Sequence, residues 1–141
     1  MSELDSVTID YVMVCDAAQA VGGKLYVIGG GWDRMMIPEF PGPPLVPFSV
    51  VFGINVPWNL TNRPFTFSIQ ILDSDDTIIG EVASGEFEAG RPPGTRPGVS
   101  QRIPFAGPAN PEFPEPGRYV VRVLLQGQKA GETSFEVALL Q

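Results

Sequence analysis

The chain has 141 residues, with nine Lys or Arg against sixteen Asp or Glu, no histidine and a formal net charge of −7. That length suits one domain with its own core, and 43% hydrophobic against 18% charged residues argues against disorder. Without histidine there is no Ser-His or Cys-His nucleophile pair, no imidazole acid–base catalysis and no histidine-bearing zinc site.

Glycine (16) and proline (15) punctuate β-branched and aromatic runs, which is the pattern of strands bounded by turns. No window carries a helical period. Met1-Ser2-Glu3-Leu4-Asp5 is acidic and lacks the basic and apolar stretches of a signal peptide. The first predicted strand runs from Val7 to Cys15, alternating at first and then apolar on both faces. Cys15, the one cysteine, reads as a small buried hydrophobe, because a reactive thiol needs positive neighbours and Asp16 follows it. Asp16 to Gly23 is predicted as a loop or a single helical turn closed by glycines, and Lys24 to Gly30 as the second strand. Met35-Met36-Ile37 is an apolar run able to cover a sheet or face a partner. Residues 38–47 read as a stiff proline-rich connection with Pro-x-x-Pro spacing. From Leu45 to Val56, six apolar residues starting at Val46 fall on one face, the strongest period-two signal in the chain.

Phe65, Phe67, Ile69 and Ile71 alternate with Thr66, Ser68 and Gln70 as a half-buried strand. Asp73-Ser74-Asp75-Asp76 is a turn. Thr77 to Phe87 is a weaker strand, bulged near Gly80 and Gly85. A loop over 90–98, a short strand from Val99 to Phe105 and a second proline-rich loop over 107–116 follow. The clearest hairpin closes the chain: Tyr119 to Leu125, a turn over Gly127–Gly131, and Thr133 to Leu139. Eight strands joined by turns predict a single domain over residues 1–141, an all-β, antiparallel β-sandwich of about eight strands. A closed barrel is the main alternative.

Three clusters carry possible chemistry. Trp32, Asp33 and Arg34 form a candidate ligand-binding stretch that Asp16, Gln19, Lys24 and Tyr26 could join at one end of the sandwich, although a simple hairpin would put these groups at opposite ends. The competing expectation is an Asp33–Arg34 ion pair with the arginine stem on the indole. Asp73, Asp75 and Asp76 supply three carboxylates in one turn, a candidate metal site, since hard cations take several oxygens. Asp10, Asp16, Glu81, Glu86 and Glu88 are the acids from which a carboxylate-based hydrolase would have to draw. Gly29-Gly30-Gly31 fails both the phosphate-loop and the dinucleotide-loop spacing and reads as a bulge or close crossing. No residue is assigned a catalytic role and no cofactor is expected.

Two stretches resemble known proteins. Pro116-Gly117-Arg118-Tyr119-Val120-Val121-Arg122-Val123, with a glycine turn and a last strand ending Phe135-Glu136-Val137, resembles the closing hairpin of immunoglobulin-like bacterial sandwiches, which implies an immunoglobulin-like plan. Asp16-Ala17-Ala18, then Gly22-Gly23-Lys24-Leu25-Tyr26, then Gly29-Gly30-Gly31-Trp32-Asp33, resembles a family of small uncharacterised bacterial all-β proteins, which implies a fold and no catalytic residue.

Seven arginines and two lysines lie scattered, so neither nucleic acid nor an anionic membrane is an expected partner. No apolar run reaches a membrane span. With no possible internal disulfide, the expected setting is the bacterial cytoplasm. The expected function is a non-catalytic protein-binding or assembly module. It would act through strand edges or proline-rich loops, by self-association as a homo-oligomer or with a protein partner not named by the sequence. The alternative is a cation- or small-ligand-binding domain; a hydrolase comes third.

Overall fold

Alternating apolar residues make strands, and pairing between distant strands sets the architecture. The computed structural model describes residues 6–141, so the acidic stretch at residues 1–5 lies outside the described residues. Nine strands follow one another: β1 Thr8–Val21, β2 Lys24–Gly30, β3 Arg34–Ile37, β4 Phe48–Val56, β5 Pro64–Leu72, β6 Ile78–Glu88, β7 Gln101–Ala109, β8 Gly117–Leu125 and β9 Gln128–Leu139. One sheet has the order β2-β1-β4-β7 and the other β3-β9-β8-β5-β6. Every pair of neighbouring strands is antiparallel except β3 and β9, which run parallel. The chain is all-β, with two sheets as in a β-sandwich. Among the described residues the one helical element is a 3-10 turn at Trp58–Leu60.

The core lies between the sheets. Phe48, Val50, Phe52, Ile54 and Val56 on β4 pack with Ile69 and Ile71 on β5, Tyr119, Val121 and Val123 on β8, and Phe135 and Val137 on β9. Each such side chain contributes about 1.5–3 kcal/mol on burial. Strand β4 is also covered on its other face. The Tyr11 ring crosses Gly53, where a Cβ would come within 2.4 Å of the ring, so this position requires glycine.

The structure departs from the sequence reading in five places. Asp16–Val21 is neither loop nor helical turn; it continues β1, and only Gly22-Gly23 turns, both at positive φ (60° and 76°) as a two-residue hairpin demands. Pairing with β2 outweighs the weak helical preference of three alanines. Arg34–Ile37 is an additional strand, giving nine. Its four residues form a ladder only because β9 lies beside them, a partner about a hundred residues away that local pattern does not reveal. Val46 stands outside β4 and is exposed rather than core. Strand β7 runs to Ala109 through Pro104 and Pro108, which an edge position tolerates. The closing turn is Gln126-Gly127 rather than 127–131, and an extra residue in β9 shifts the register at Val123/Leu124. Strand β6 shifts register opposite Ile69/Gln70 and Ile71/Leu72, the second shift beside Gly80 as expected, whereas Gly85 pairs with Phe67 in regular register.

Candidate interaction site

The long first strand divides in two. From Thr8 to Cys15 it pairs with β4. Cys15 pairs with both β4 and β2, and from Ala17 to Val21 the strand pairs with β2 alone. Residues 16–30 therefore form a two-stranded arm beyond the four-stranded part of the sheet. Ala18 sits opposite Val27 and Ala20 opposite Leu25 on one face; Ala17 faces Ile28, Gln19 faces Tyr26 and Val21 faces Lys24 on the other. Both faces are apolar and largely uncovered: Val21 is 50% exposed, Tyr26 57% and Ile28 71%. Asp16 and Lys24 are the only charged residues of the arm. Cys15 closes the covered half; it is buried, and burial first, then the Asp16 charge, pushes its thiol pKa up, so it remains a protonated packing group.

The four sheet edges differ. Strand β7 carries Pro104 and Pro108, β6 carries Glu81, Glu86 and Glu88 together with its register shifts, and β3 is four residues long. Prolines, charges, bulges and shortness are the devices that keep an edge from pairing with another chain. Leu25-Tyr26-Val27-Ile28 of β2 has none of them.

At the foot of the arm lies a cavity of about 600 Å³ lined by Asp16, Trp32, Arg34, Met35, Val46, Pro47 and Phe48. That volume falls within the usual range for small-molecule sites. Trp32 stands edge-on to Phe48 and Phe135, with ring centroids 5.7 Å apart in each case. Its Nε1–H is buried and has no hydrogen-bond partner among the described residues, an omission that costs about 1–3 kcal/mol. Gly29 fixes Asp16: its φ is +61°, and a Cβ there would lie 2.3 Å from Asp16 Oδ2. Asp16 and Arg34 carry opposite charges into one cavity, yet neither belongs to an ion pair among the described residues.

The structure thus brings two of the three candidate ligand residues together and separates the third. Asp33, just before β3, lines instead a smaller depression with Arg118, Ser134 and Glu136. Its carbonyl accepts the Glu136 N–H at 2.8 Å, aligning β3 on β9. The expected Asp33–Arg34 pair on Trp32 is not formed. The indole that carries an arginine is Trp58: Arg91 stacks 3.7 Å from its ring centroid and donates to the Trp58 carbonyl and to Thr61 Oγ1. Gln19, Lys24 and Tyr26 lie toward the arm tip, away from the cavity, whereas Asp16 at the base joins it. Val46, Pro47 and Phe48 are wall residues that sequence reasoning missed, because their run reads as one continuous core strand.

In the Asp73–Asp76 turn, Asp73 Oδ1 accepts the backbone N–H groups of Asp75 and Thr77, both at 2.9 Å. Asp76 adopts φ +61° and lies 3.4 Å from the Arg122 guanidinium. Among the described residues no three His, Cys, Asp or Glu side chains gather as metal ligands. The candidate acids are also dispersed: Asp10 pairs with Arg102 at 2.8 Å, Asp16 stands in the arm, and the three glutamates belong to β6 of the other sheet. No helix among the described residues is long and apolar enough to cross a membrane.

Residues 10–138 match a family described as a family of unknown function (DUF6941). No curated protein matches the sequence. Among solved structures, the chain is similar to part of a Pseudomonas fluorescens alkylpurine DNA glycosylase, AlkC, bound to DNA containing an abasic site analog. Identity is 16%, the TM-score 0.45, and the match covers 94% of this chain and 30% of that one. It is also similar to an immunoglobulin-like protein from Pseudomonas aeruginosa, at 15% identity and a TM-score of 0.30, over 96% of this chain and 99% of that one. These are distant likenesses, and no residue role passes from them to this chain.

Proposed function

The chain belongs to the family of unknown function DUF6941, and we propose that it is a non-catalytic interaction module that works through the β1–β2 arm. The observation that carries this reading is the arm itself: apolar on both faces, uncovered, nearly free of charge, and bounded by an edge strand without protection. Uncovered apolar strands with a free edge favour strand addition by another chain. The absence of histidine and the dispersal of the candidate acids support a role other than catalysis. The double substitution Tyr26→Lys with Ile28→Lys tests this, because both side chains are exposed and their loss leaves the core untouched. Association of the pure chain, or capture of a partner, should vanish in the variant; association that is absent in the wild type or unchanged in the variant would overturn the reading.

An immunoglobulin-like plan is part of the proposal. Two features support it: β3 joins β9 in parallel while β1 stays in the opposite sheet, so the first strands serve both sheets, and the Tyr119 hydroxyl at the start of β8 donates back to the Glu115 carbonyl. The second is the corner that recurs before the penultimate strand of such sandwiches.

A second reading is favoured by one observation, the cavity that gathers Trp32, Asp16 and Arg34, with Arg34 in no ion pair among the described residues. It makes the cavity a small-ligand site for a molecule with an apolar part for the cavity wall and an anionic group for Arg34. A thermal-unfolding series with organic acids tests it: a stabilisation that disappears in Arg34→Gln supports it, and equal shifts in both proteins refute it.

A further inference from the structure

We infer that the occupant of the β2 edge is a second copy of this chain, paired antiparallel through β2 about a twofold axis at Val27. The inference rests on the interaction-module reading and names its partner. Three features point to it. First, β2 and β3 are the terminal strands that lack proline, an acidic side chain and a register shift over their paired length, and β2, with seven residues against four, offers the longer open ladder. Second, the strand is self-complementary. A twofold at Val27 sets Tyr26 opposite Ile28 of the second copy, and Ile28 opposite its Tyr26, on one face of the joined sheet. These are the two most exposed large hydrophobic side chains of β2, and aromatic to β-branched pairing is a favourable cross-strand combination. Leu25 then meets Gly29, and Lys24 meets Gly30, so no like charges oppose. A twofold at Tyr26 would instead set Lys24 against Ile28 and waste the exposed isoleucine. Third, charge selects the route. Each molecule carries −7 overall, but the arm is neutral, with one aspartate and one lysine, so two copies approach with least repulsion through their arms.

The result would be one continuous eight-stranded sheet across the dimer, with an isologous interface, the commonest symmetry for self-association. A seven-residue ladder between two edge strands is smaller than the standard interface, so the dimer is expected to be weak and visible at high micromolar concentration.

Sedimentation of the full chain over a concentration series tests the inference, together with Val27→Cys under diamide oxidation. Across the twofold the two Val27 Cα atoms would lie roughly 4.5–5.5 Å apart, within disulfide reach. The native thiol is buried and does not compete. Expected results are a concentration-dependent dimer, its loss in Tyr26→Lys/Ile28→Lys, a disulfide-linked dimer for Val27→Cys and little for Ala20→Cys, which lies on β1. A dimer that survives the lysines and does not cross-link at Val27 uses another surface and overturns the inference. A strict monomer overturns it as well. If that monomer still holds a protein partner that the lysine variant loses, the interaction-module reading stands without the second copy; if nothing binds, both fall.

Discussion

Strand β1 contains two regions of similar composition and opposite circumstance. Its first half, Thr8 to Cys15, is held in the sandwich: Val14 and Cys15 are buried, Ile9 and Val12 pack against the core, and the half-buried Tyr11 lies over Gly53, with Thr8 and Asp10 left exposed. Its second half, Ala17 to Val21, carries apolar residues on both faces, and neither is covered. The strand does not break between them; the neighbouring strand changes, from β4 to β2. Hydrophobic pattern alone therefore does not separate a core strand from an interaction strand. What separates them is whether the chain itself supplies a third strand and a second sheet.

The comparison breaks most sharply in stability. Phe135→Ala, which removes a ring in contact with Trp32, Phe48, Phe113 and Tyr119, should lower unfolding free energy by about 3–5 kcal/mol in a denaturant titration. Within β1 itself, Val14→Ala, in the covered half, should cost roughly 2 kcal/mol. Val21→Ala in the arm should stay within about 0.5 kcal/mol. Equal losses at the two valines would mean that the arm packs against something in the monomer. Gly29→Ala should cost about 1 kcal/mol, because its φ is left-handed. It should also displace Asp16 and so alter any organic-acid stabilisation.

Cys15 marks the boundary and sharpens the contrast chemically. An Ala17→Cys thiol should react readily with a maleimide while Cys15 stays protected until unfolding. Since burial raises the folded pKa of Cys15, its contribution to stability is present below the ordinary thiol value and is lost as pH rises through the folded pKa. Thermal midpoints of wild type and Cys15→Val, compared from pH 8 upward, check this: the wild type should fall more steeply. Glu132 has the opposite sign. The Lys129 hydrogen bond first, and Arg122 with it, hold its carboxyl below 4.5, so its small contribution is present above that value and is lost as pH falls through the folded pKa. The smallest effect belongs to Asp75→Ala, expected within about 0.5 kcal/mol and with no change in the response to added calcium. A calcium-dependent midpoint that this substitution removes would restore the cation reading of the turn.

Strands β5, β8 and β9 were legible because each buries one face for most of its length, which imposes period two on the residues, and β4 because its core face is apolar at every second residue even though its other face is covered too. The arm was not. Its alanines and glycines carry little propensity, and its partner strand begins only two residues after it ends. Strand β3 was hidden because it exists by virtue of a parallel neighbour distant in sequence. At the site, Trp32, Asp33 and Arg34 are contiguous in sequence, but Trp32 and Arg34 line one cavity and Asp33 another depression, since adjacency does not tell which way a side chain faces. Val46 to Phe48 contributed walls that no pattern announced, since a strand's entry and its interior look alike until its partners are known.

The continuity of β1 gives the arm a length that can vary independently of the sandwich. Adding one residue pair at the Gly22-Gly23 tip would extend its reach by about 3.3 Å and leave the β1–β4 ladder as it is. Adding a single residue on one side would instead invert every side chain beyond it. Chains of this plan can therefore lengthen or shorten their reach in matched steps, retuning what they hold without reopening the core.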